Sequence, residues 1–192
     1  MEILVDDLSL PALDAGKADA VALFVARDER PLRGLAGLCD WRLCGSLSRT
    51  LLDGFFSGER GEVLLTTSRG RLPAPRIFLF GLGDAGGAAE AAAGAWTKAL
   101  ATLRLAGVRS ALVGVPWTGL GVDRTLDVWA AALAQAPERQ ILLGDPRELQ
   151  RWRDSSARRV AVDWRRARES PAPDGEPPRG GRPRAMPRAL GR

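Results

Sequence analysis

Three glycines with the spacing G-x-G-x-x-G, Gly81, Gly83 and Gly86, separate an apolar run from an alanine-rich run in RIFLFGLGDAGGAAEAAAG. This spacing is typical of a strand-to-helix turn whose first helical amides hold the phosphates of a dinucleotide. Such sites also need an acidic residue at the end of the next strand, where it binds the ribose. Here residues 116–118 read Pro-Trp-Thr and include no acid. We therefore interpret the glycines as a structural turn, in which Gly81 and Gly83 adopt φ values that other residues resist.

A phosphate loop remains the alternative interpretation of this segment. Amides at the start of a helix can receive a phosphate, and the loop would then consist of Gly81, Gly83, Gly86 and Gly87. Asp84 would lie beside those amides and repel the phosphate. We expect no bound cofactor.

Side chains that commonly act in catalysis are scarce. The sequence contains no histidine, no tyrosine and no asparagine, which excludes Ser-His-Asp and Cys-His chemistry. Cys39 and Cys44 match neither a C-x-x-C redox pair nor a zinc motif, so we expect free, structural thiols. We predict no catalytic residue and no metal ligand.

The net charge of +5 comes entirely from the end of the chain. Residues 1–164 hold 20 basic and 20 acidic side chains, whereas residues 165–192 hold eight arginines and three acids. This segment is also rich in proline and glycine, so we predict a disordered tail over 165–192. A solvated extension is the favoured interpretation, and nucleic-acid binding is the alternative. The arginines that would carry it are Arg165, Arg166, Arg168, Arg179, Arg182, Arg184 and Arg188.

The elements that position these residues follow from the apolar pattern of residues 1–164, which we expect to form one domain. Six strands are predicted, at Ile3 to Val5, Ala20 to Ala26, Val63 to Thr67, Ile77 to Gly81, Ala111 to Val115 and Ile141 to Leu143. Helical patterns alternate with most of them, so the class is α/β with a sheet covered on both faces. Ser68 to Ala74 is too short for a helical crossover and must join neighbouring strands as a hairpin. The sheet is therefore mixed.

Helix patterns also assign three individual side chains. In GDPREL, Asp145 can accept hydrogen bonds from first-turn amides, which predicts that it caps a helix. Trp96 and Trp129 recur with leucines at three- and four-residue spacing, so we predict that both lie in the core.

From Ala20 to Gly83 the sequence resembles the N-terminal domain of the leucyl (cytosol) aminopeptidases. A strand is followed by a helix of the form PL-x-G-L-A, then by G-x-L-S-x-L-L and G-x-x-G-E segments, and a later strand ends in G-L-G. The matching residues are Leu32, Gly34, Asp40, Gly45, Leu47, Gly58, Gly61, Glu62 and Gly81 to Gly83.

The resemblance implies a macro-domain-like three-layer α/β/α sandwich with a mixed sheet of about six strands. It also implies that catalysis belongs to a separate C-terminal domain, where lysine, aspartates and glutamate around an N-T-D-A-E-G-R stretch hold two metal ions. This sequence has no asparagine and only Lys17 and Lys98, so no catalytic residue carries over.

Three functions are consistent with these observations. The first is a non-catalytic interaction or regulatory module that binds a protein partner or a second copy of itself. The second is a macro-like domain that binds ADP-ribose or a nucleotide, and the third is nucleic-acid binding through the basic tail. The acidic N-terminus and the lack of a long apolar run predict a cytoplasmic protein without membrane contact.

Overall fold

The computed structural model describes residues 1–85, 89–114, 122–156 and 163–166. Strands and helices alternate along most of this chain. The strands are β1 (Glu2–Asp7), β2 (Ala20–Val25), β3 (Val63–Thr67), β4 (Arg76–Gly81), β5 (Ser110–Gly114), β6 (Arg139–Gly144) and β7 (Asp163–Arg166). The helices are α1 (Leu10–Ala15), α2 (Gly34–Arg42), α3 (Ser46–Leu52), α4 (Ala89–Leu105), α5 (Val122–Ala132) and α6 (Pro146–Ser156), with a 3₁₀ turn at Leu133–Gln135.

All seven strands form one mixed sheet in the order β3-β4-β2-β5-β6-β1-β7. The pair β3 and β4 is antiparallel, and the other five pairs are parallel. The carboxyl ends of the parallel strands therefore lie together at one end of the sheet, which we call the crest. The two outermost strands, β3 and β7, each have one strand neighbour.

Alternating side chains of the strands feed two separate cores. In β2, Val21, Leu23 and Val25 pack with α1, α2 and α3, whereas Ala20 and Ala22 pack with α4, α5 and α6. Trp96 and Trp129 are fully buried in the second core, as predicted. Helices thus cover both faces of the sheet, and the predicted three-layer sandwich is confirmed.

The pattern-based strands are all present. Each of the six predicted runs overlaps an observed strand, and the hairpin across Ser68 to Ala74 joins β3 to β4 in antiparallel register. The predicted cap of α6 is also confirmed, because the Asp145 carboxylate accepts hydrogen bonds from the Arg147 and Glu148 amides at 2.8 and 3.2 Å. Local sequence patterns were sufficient for these features.

Two short elements were missed. Helix α1 has six residues, too few for a helical period to be recognised, and it begins where the Ser9 hydroxyl accepts a hydrogen bond from the Ala12 amide at 3.3 Å. Strand β7 contains two arginines instead of an apolar run, because an edge strand needs few buried side chains.

Strand β7 also crosses the predicted start of the tail at residue 165. Arg165 and Arg166 pair with Leu4 and Val5 of β1, so these two residues belong to the sheet. Residues 167–192 lie outside the described part of the chain, and the tail remains a prediction there.

Candidate functional site

The glycine turn after β4 is hydrogen-bonded to its neighbours in the structure. The Gly81 amide donates to the Glu62 carbonyl at 2.9 Å, and the Gly83 amide donates to the Gly58 carbonyl at 2.9 Å. Both amides are therefore committed to protein acceptors and are not available to a phosphate. Gly86 and Gly87 lie outside the described residues, so only half of the predicted loop can be judged.

The two described glycines serve different purposes. Gly83 has φ +76°, a left-handed conformation that favours glycine, as predicted. The same prediction is wrong for Gly81, which is absent from the described glycines with positive φ. Instead, a Cβ on Gly81 would lie 1.9 Å from the carbonyl oxygen of Glu59. Close approach of the 57–62 loop, not backbone conformation, requires glycine at this position.

Charged side chains of both signs lie around the glycine turn. The Arg27 guanidinium donates to Asp84 at 2.5 and 2.8 Å and to Glu59 at 3.0 Å, and these contacts raise the pKa of Arg27. The Asp28 carboxylate accepts the Ala85 amide at 2.7 Å, which lowers the pKa of Asp28. The Arg60 side chain also lies here, with its Nε 3.7 Å from a Cβ built on Gly83, so charges of both signs surround this corner of the crest.

The residues that carry the family resemblance maintain loops in this structure. Asp40 accepts hydrogen bonds from the Leu47 and Ser48 amides at 2.8 and 3.1 Å and so caps α3. Glu62 accepts the amides of Ser57, Gly58 and Glu59. The contacts account for both carboxylates without any catalytic role.

Two opposing effects act on the pKa of Glu62. Partial burial raises the pKa of Glu62, but the hydrogen bonds from Ser57, Gly58 and Glu59 outweigh it and hold the pKa below its usual value. The charged form of Glu62 is thus the one that closes the 57–62 loop.

A cleft that the sequence did not reveal lies at the crest, between the first turns of α2 and α6. It has a volume of about 510 Å³, and Leu8, Gly114 and Gly144 line its floor where β1, β5 and β6 end. Its walls include Gly34, Leu35, Asp145, Arg147, Glu148 and Arg151. Glycines at the ends of two buried strands were the signal in the sequence that could have indicated it.

Exposed apolar side chains are concentrated near β3. Eight large hydrophobic side chains are exposed among the described residues, and four of them lie between residues 52 and 65. Leu52 is 81% exposed, Phe55 74%, Leu65 54% and Val63 38%. We call these four residues the β3 surface. Val63 and Leu65 lie opposite Phe80 and Phe78 and so face the α4–α6 side of the sheet, whereas Leu52 and Phe55 belong to α3, which packs on the other side, and to the segment after it. Trp41 on α2 is 63% exposed, and the Arg42 guanidinium lies 4.9 Å from its ring centre.

The sulfur and carboxylate groups do not converge in the described part of the chain. No three acidic, cysteine or histidine side chains there lie where they could hold a metal ion. Both cysteines are free; Cys39 is buried, and the Cys44 sulfur accepts a hydrogen bond from Arg71 at 3.1 Å. Among the described helices, none has the length and hydrophobicity needed to span a bilayer.

Only two of the seven arginines predicted to contact nucleic acid lie in the described part of the chain. Arg165 and Arg166 lie on β7 at one side of the sheet, whereas Arg168, Arg179, Arg182, Arg184 and Arg188 lie outside the described residues.

Comparison with known proteins gives a family and a fold. The model of the cytosol aminopeptidase family, N-terminal domain, matches residues 20–139. No curated protein sequence matches the chain significantly. A mutant leucine aminopeptidase from tomato superposes with a TM-score of 0.55 and 17% identity over 81% of this chain, which spans 35% of the length of that enzyme.

Macrodomains are also similar in structure. The Oceanobacillus iheyensis macrodomain with ADP has a TM-score of 0.61 and 12% identity over 81% of this chain and 89% of its own. The macrodomain of Thermus aquaticus DarG has a TM-score of 0.56 and 12% identity over 75% of this chain and 98% of its own. At these identities the similarity concerns the fold alone.

Proposed function

The chain belongs to the cytosol aminopeptidase family through the N-terminal domain of those proteins, and on this premise we propose that it is a non-catalytic, cytoplasmic protein-interaction module. The observation that carries the proposal is the β3 surface, four exposed apolar side chains on the edge strand β3 and shortly before it in the chain. Two free cysteines are consistent with a reducing compartment.

The β3 surface combines side chains that soluble proteins usually bury. Phe55 is 74% exposed, whereas its neighbour Phe56 is fully buried. Several large apolar side chains exposed within one short stretch of chain favour a binding role, since their contact with water is unfavourable. A protein partner that covers Leu52 and Phe55 would remove their unfavourable contact with water.

The non-catalytic part of the proposal is supported by the roles of the motifs that carry the family resemblance. Asp40 and Glu62 are occupied by backbone amides, and the family match extends over the N-terminal domain only. A two-metal hydrolase needs several carboxylates around ions about 3.5–4 Å apart, which the described residues do not supply. We therefore expect no aminopeptidase activity from this chain.

The experiment has two parts. Purified protein is assayed with a leucine anilide in the presence of zinc or manganese, and hydrolysis that follows the protein and is abolished by a chelator would contradict the proposal. Partners are then identified by cross-linking, and the dissociation constant of a purified partner is measured for Leu52→Glu/Phe55→Glu and for Leu8→Glu. Leu8 is 39% exposed and follows β1, so it is the control.

We expect the double variant to weaken binding at least about tenfold, because two desolvated apolar contacts are worth more than 1.4 kcal/mol. The Leu8 variant should bind like the wild type. Equal affinity of the double variant and the wild type would contradict partner binding through Leu52 and Phe55.

A second candidate function is binding of an ADP-ribose-type nucleotide in the crest cleft. It is supported by the 510 Å³ volume at the carboxyl ends of three parallel strands, where α/β folds commonly bind ligands, and by the macrodomain fold. Calorimetry with ADP-ribose tests it. A saturable isotherm that Arg151→Glu weakens would support the candidate, and a flat isotherm would contradict it.

A further inference from the structure

Strand β3 has a row of backbone groups that no described residue satisfies. The Glu62 carbonyl accepts the Gly81 amide, and the Ser68 amide donates to the Pro75 carbonyl. Antiparallel strands alternate in the direction of their backbone groups, so even-numbered residues of β3 bond to β4. The amides and carbonyls of Val63, Leu65 and Thr67 therefore point away from the sheet.

The same three residues are exposed through their side chains. Burial along β3 alternates, with Val63, Leu65 and Thr67 exposed and Leu64 and Thr66 half-buried. An open edge of this kind, without a charged residue in the strand, is a template for pairing with another strand. Strand β7, at the opposite side of the sheet, carries one aspartate and two arginines in four residues, which protect an edge.

We propose that β3 pairs antiparallel with β3 of a second copy of this chain, about a two-fold axis at Leu65, so that the two seven-stranded sheets become continuous. In this register Leu65 faces its own copy and Val63 faces Thr67. All three pairs fall at hydrogen-bonded positions, so the six free amides and six free carbonyls of the two strands satisfy one another. This inference rests on the proposed function and names a second copy as the partner.

The charges at the two ends of β3 favour the antiparallel arrangement. Residues 59–62, before the strand, hold two acids and one arginine, and residues 68–71, after it, hold two arginines and no acid. The antiparallel register brings the acidic segment before β3 of one copy near the basic segment after β3 of the other. A parallel arrangement would bring Arg69 and Arg71 beside their own copies, where they repel.

Sedimentation of the purified full chain over a range of concentrations tests the association. We expect a monomer–dimer equilibrium, and we expect Leu65→Lys to weaken it at least about tenfold, because two lysines would meet on the axis. Leu65 is 54% exposed, so the lysine should leave the fold intact, which circular dichroism can verify. Leu8→Lys, placed on a distant strand connection, should dimerise like the wild type.

Cysteine cross-linking tests the register independently, in a Cys44→Ser background that removes the exposed native thiol. Leu65→Cys should form an intermolecular disulfide, since directly opposed residues have Cα atoms about 5.5 Å apart. Val63→Cys should not, because two copies of residue 63 would be separated by four residues, about 13 Å along the strand. Val63→Cys/Thr67→Cys should cross-link again.

The results separate this inference from the proposed function. A wild type that stays monomeric at all concentrations, or a dimer that Leu65→Lys does not weaken, overturns self-pairing through β3. If such a protein still binds another partner through Leu52 and Phe55, the interaction module stands without the dimer. Efficient cross-linking at position 63 alone would also overturn the register.

Discussion

Gly81 and Glu59 approach each other so closely that a Cβ on Gly81 would lie 1.9 Å from the Glu59 carbonyl oxygen. The obstacle is backbone, and it is held in place because Glu62 binds the amides of Ser57, Gly58 and Glu59. Gly81, one of the three glycines of the G-x-G-x-x-G spacing, is therefore the position where the 57–62 loop rests on the end of β4.

Replacing Gly81 by alanine should destabilise the protein by on the order of 3 kcal/mol, because the loop must move to admit the methyl group. The control is Gly94→Ala in α4, where a Cβ would meet nothing within 4 Å. That change should stabilise the protein by about 1 kcal/mol, since alanine favours the helix. Urea unfolding measures both, and equal effects of the two changes would contradict the steric explanation.

Glu62→Gln should reduce stability at neutral pH and should matter less in acid. The pKa of Glu62 is lowered in the folded state, so its stabilising contribution is present above the ordinary glutamate pKa of about 4.3 and is lost as the pH falls through the folded value. Unfolding free energies of the wild type and the variant should therefore converge below about pH 4.3. A difference that stays constant down to pH 2, about two units lower, would exclude ionised Glu62 as the cause.

The two cysteines should differ in reactivity. Burial raises the pKa of Cys39 to about 12, whereas Cys44 is exposed. An aromatic disulfide reagent should therefore modify one thiol in the folded protein and a second only on unfolding. Cys44→Ser should abolish the fast reaction, and rapid modification of Cys39 in that variant would show that the α2 core opens readily.

Truncation separates β7 from the residues that follow it. A chain ending after Arg166 should keep its unfolding free energy within about 0.5 kcal/mol, because residues 167–192 have little apolar surface to bury. A chain ending after residue 162 should be less stable, since β1 then loses its four paired residues in β7. Loss of stability in the chain that ends after Arg166 would contradict a disordered tail.

The same truncated chain tests nucleic-acid binding. If the tail arginines bind phosphates, the full chain should bind DNA with an affinity that falls steeply with salt, and the chain ending after Arg166 should bind far more weakly. Equal binding by both chains would assign the contact to another surface.

The sequence alone determined the features that depend on local patterns. Apolar runs located six strands, the short Ser68 to Ala74 connection indicated a hairpin, and Asp145 marked the start of α6. Helical spacing placed Trp96 and Trp129 in the core. The spacing of apolar residues and the length of a turn depend only on neighbouring residues, so these features could be predicted without the remainder of the chain.

Only the tertiary structure decided which parts of those elements are covered. The apolar run Val63 to Thr67 predicted a strand equally well for a central or an edge position, yet Leu65 is 54% exposed because β3 is outermost in the sheet. Likewise, the reason for glycine at position 81 lies in the carbonyl of Glu59, more than twenty residues away in the chain. Sheet order and loop approach arise from long-range packing, which no local period records.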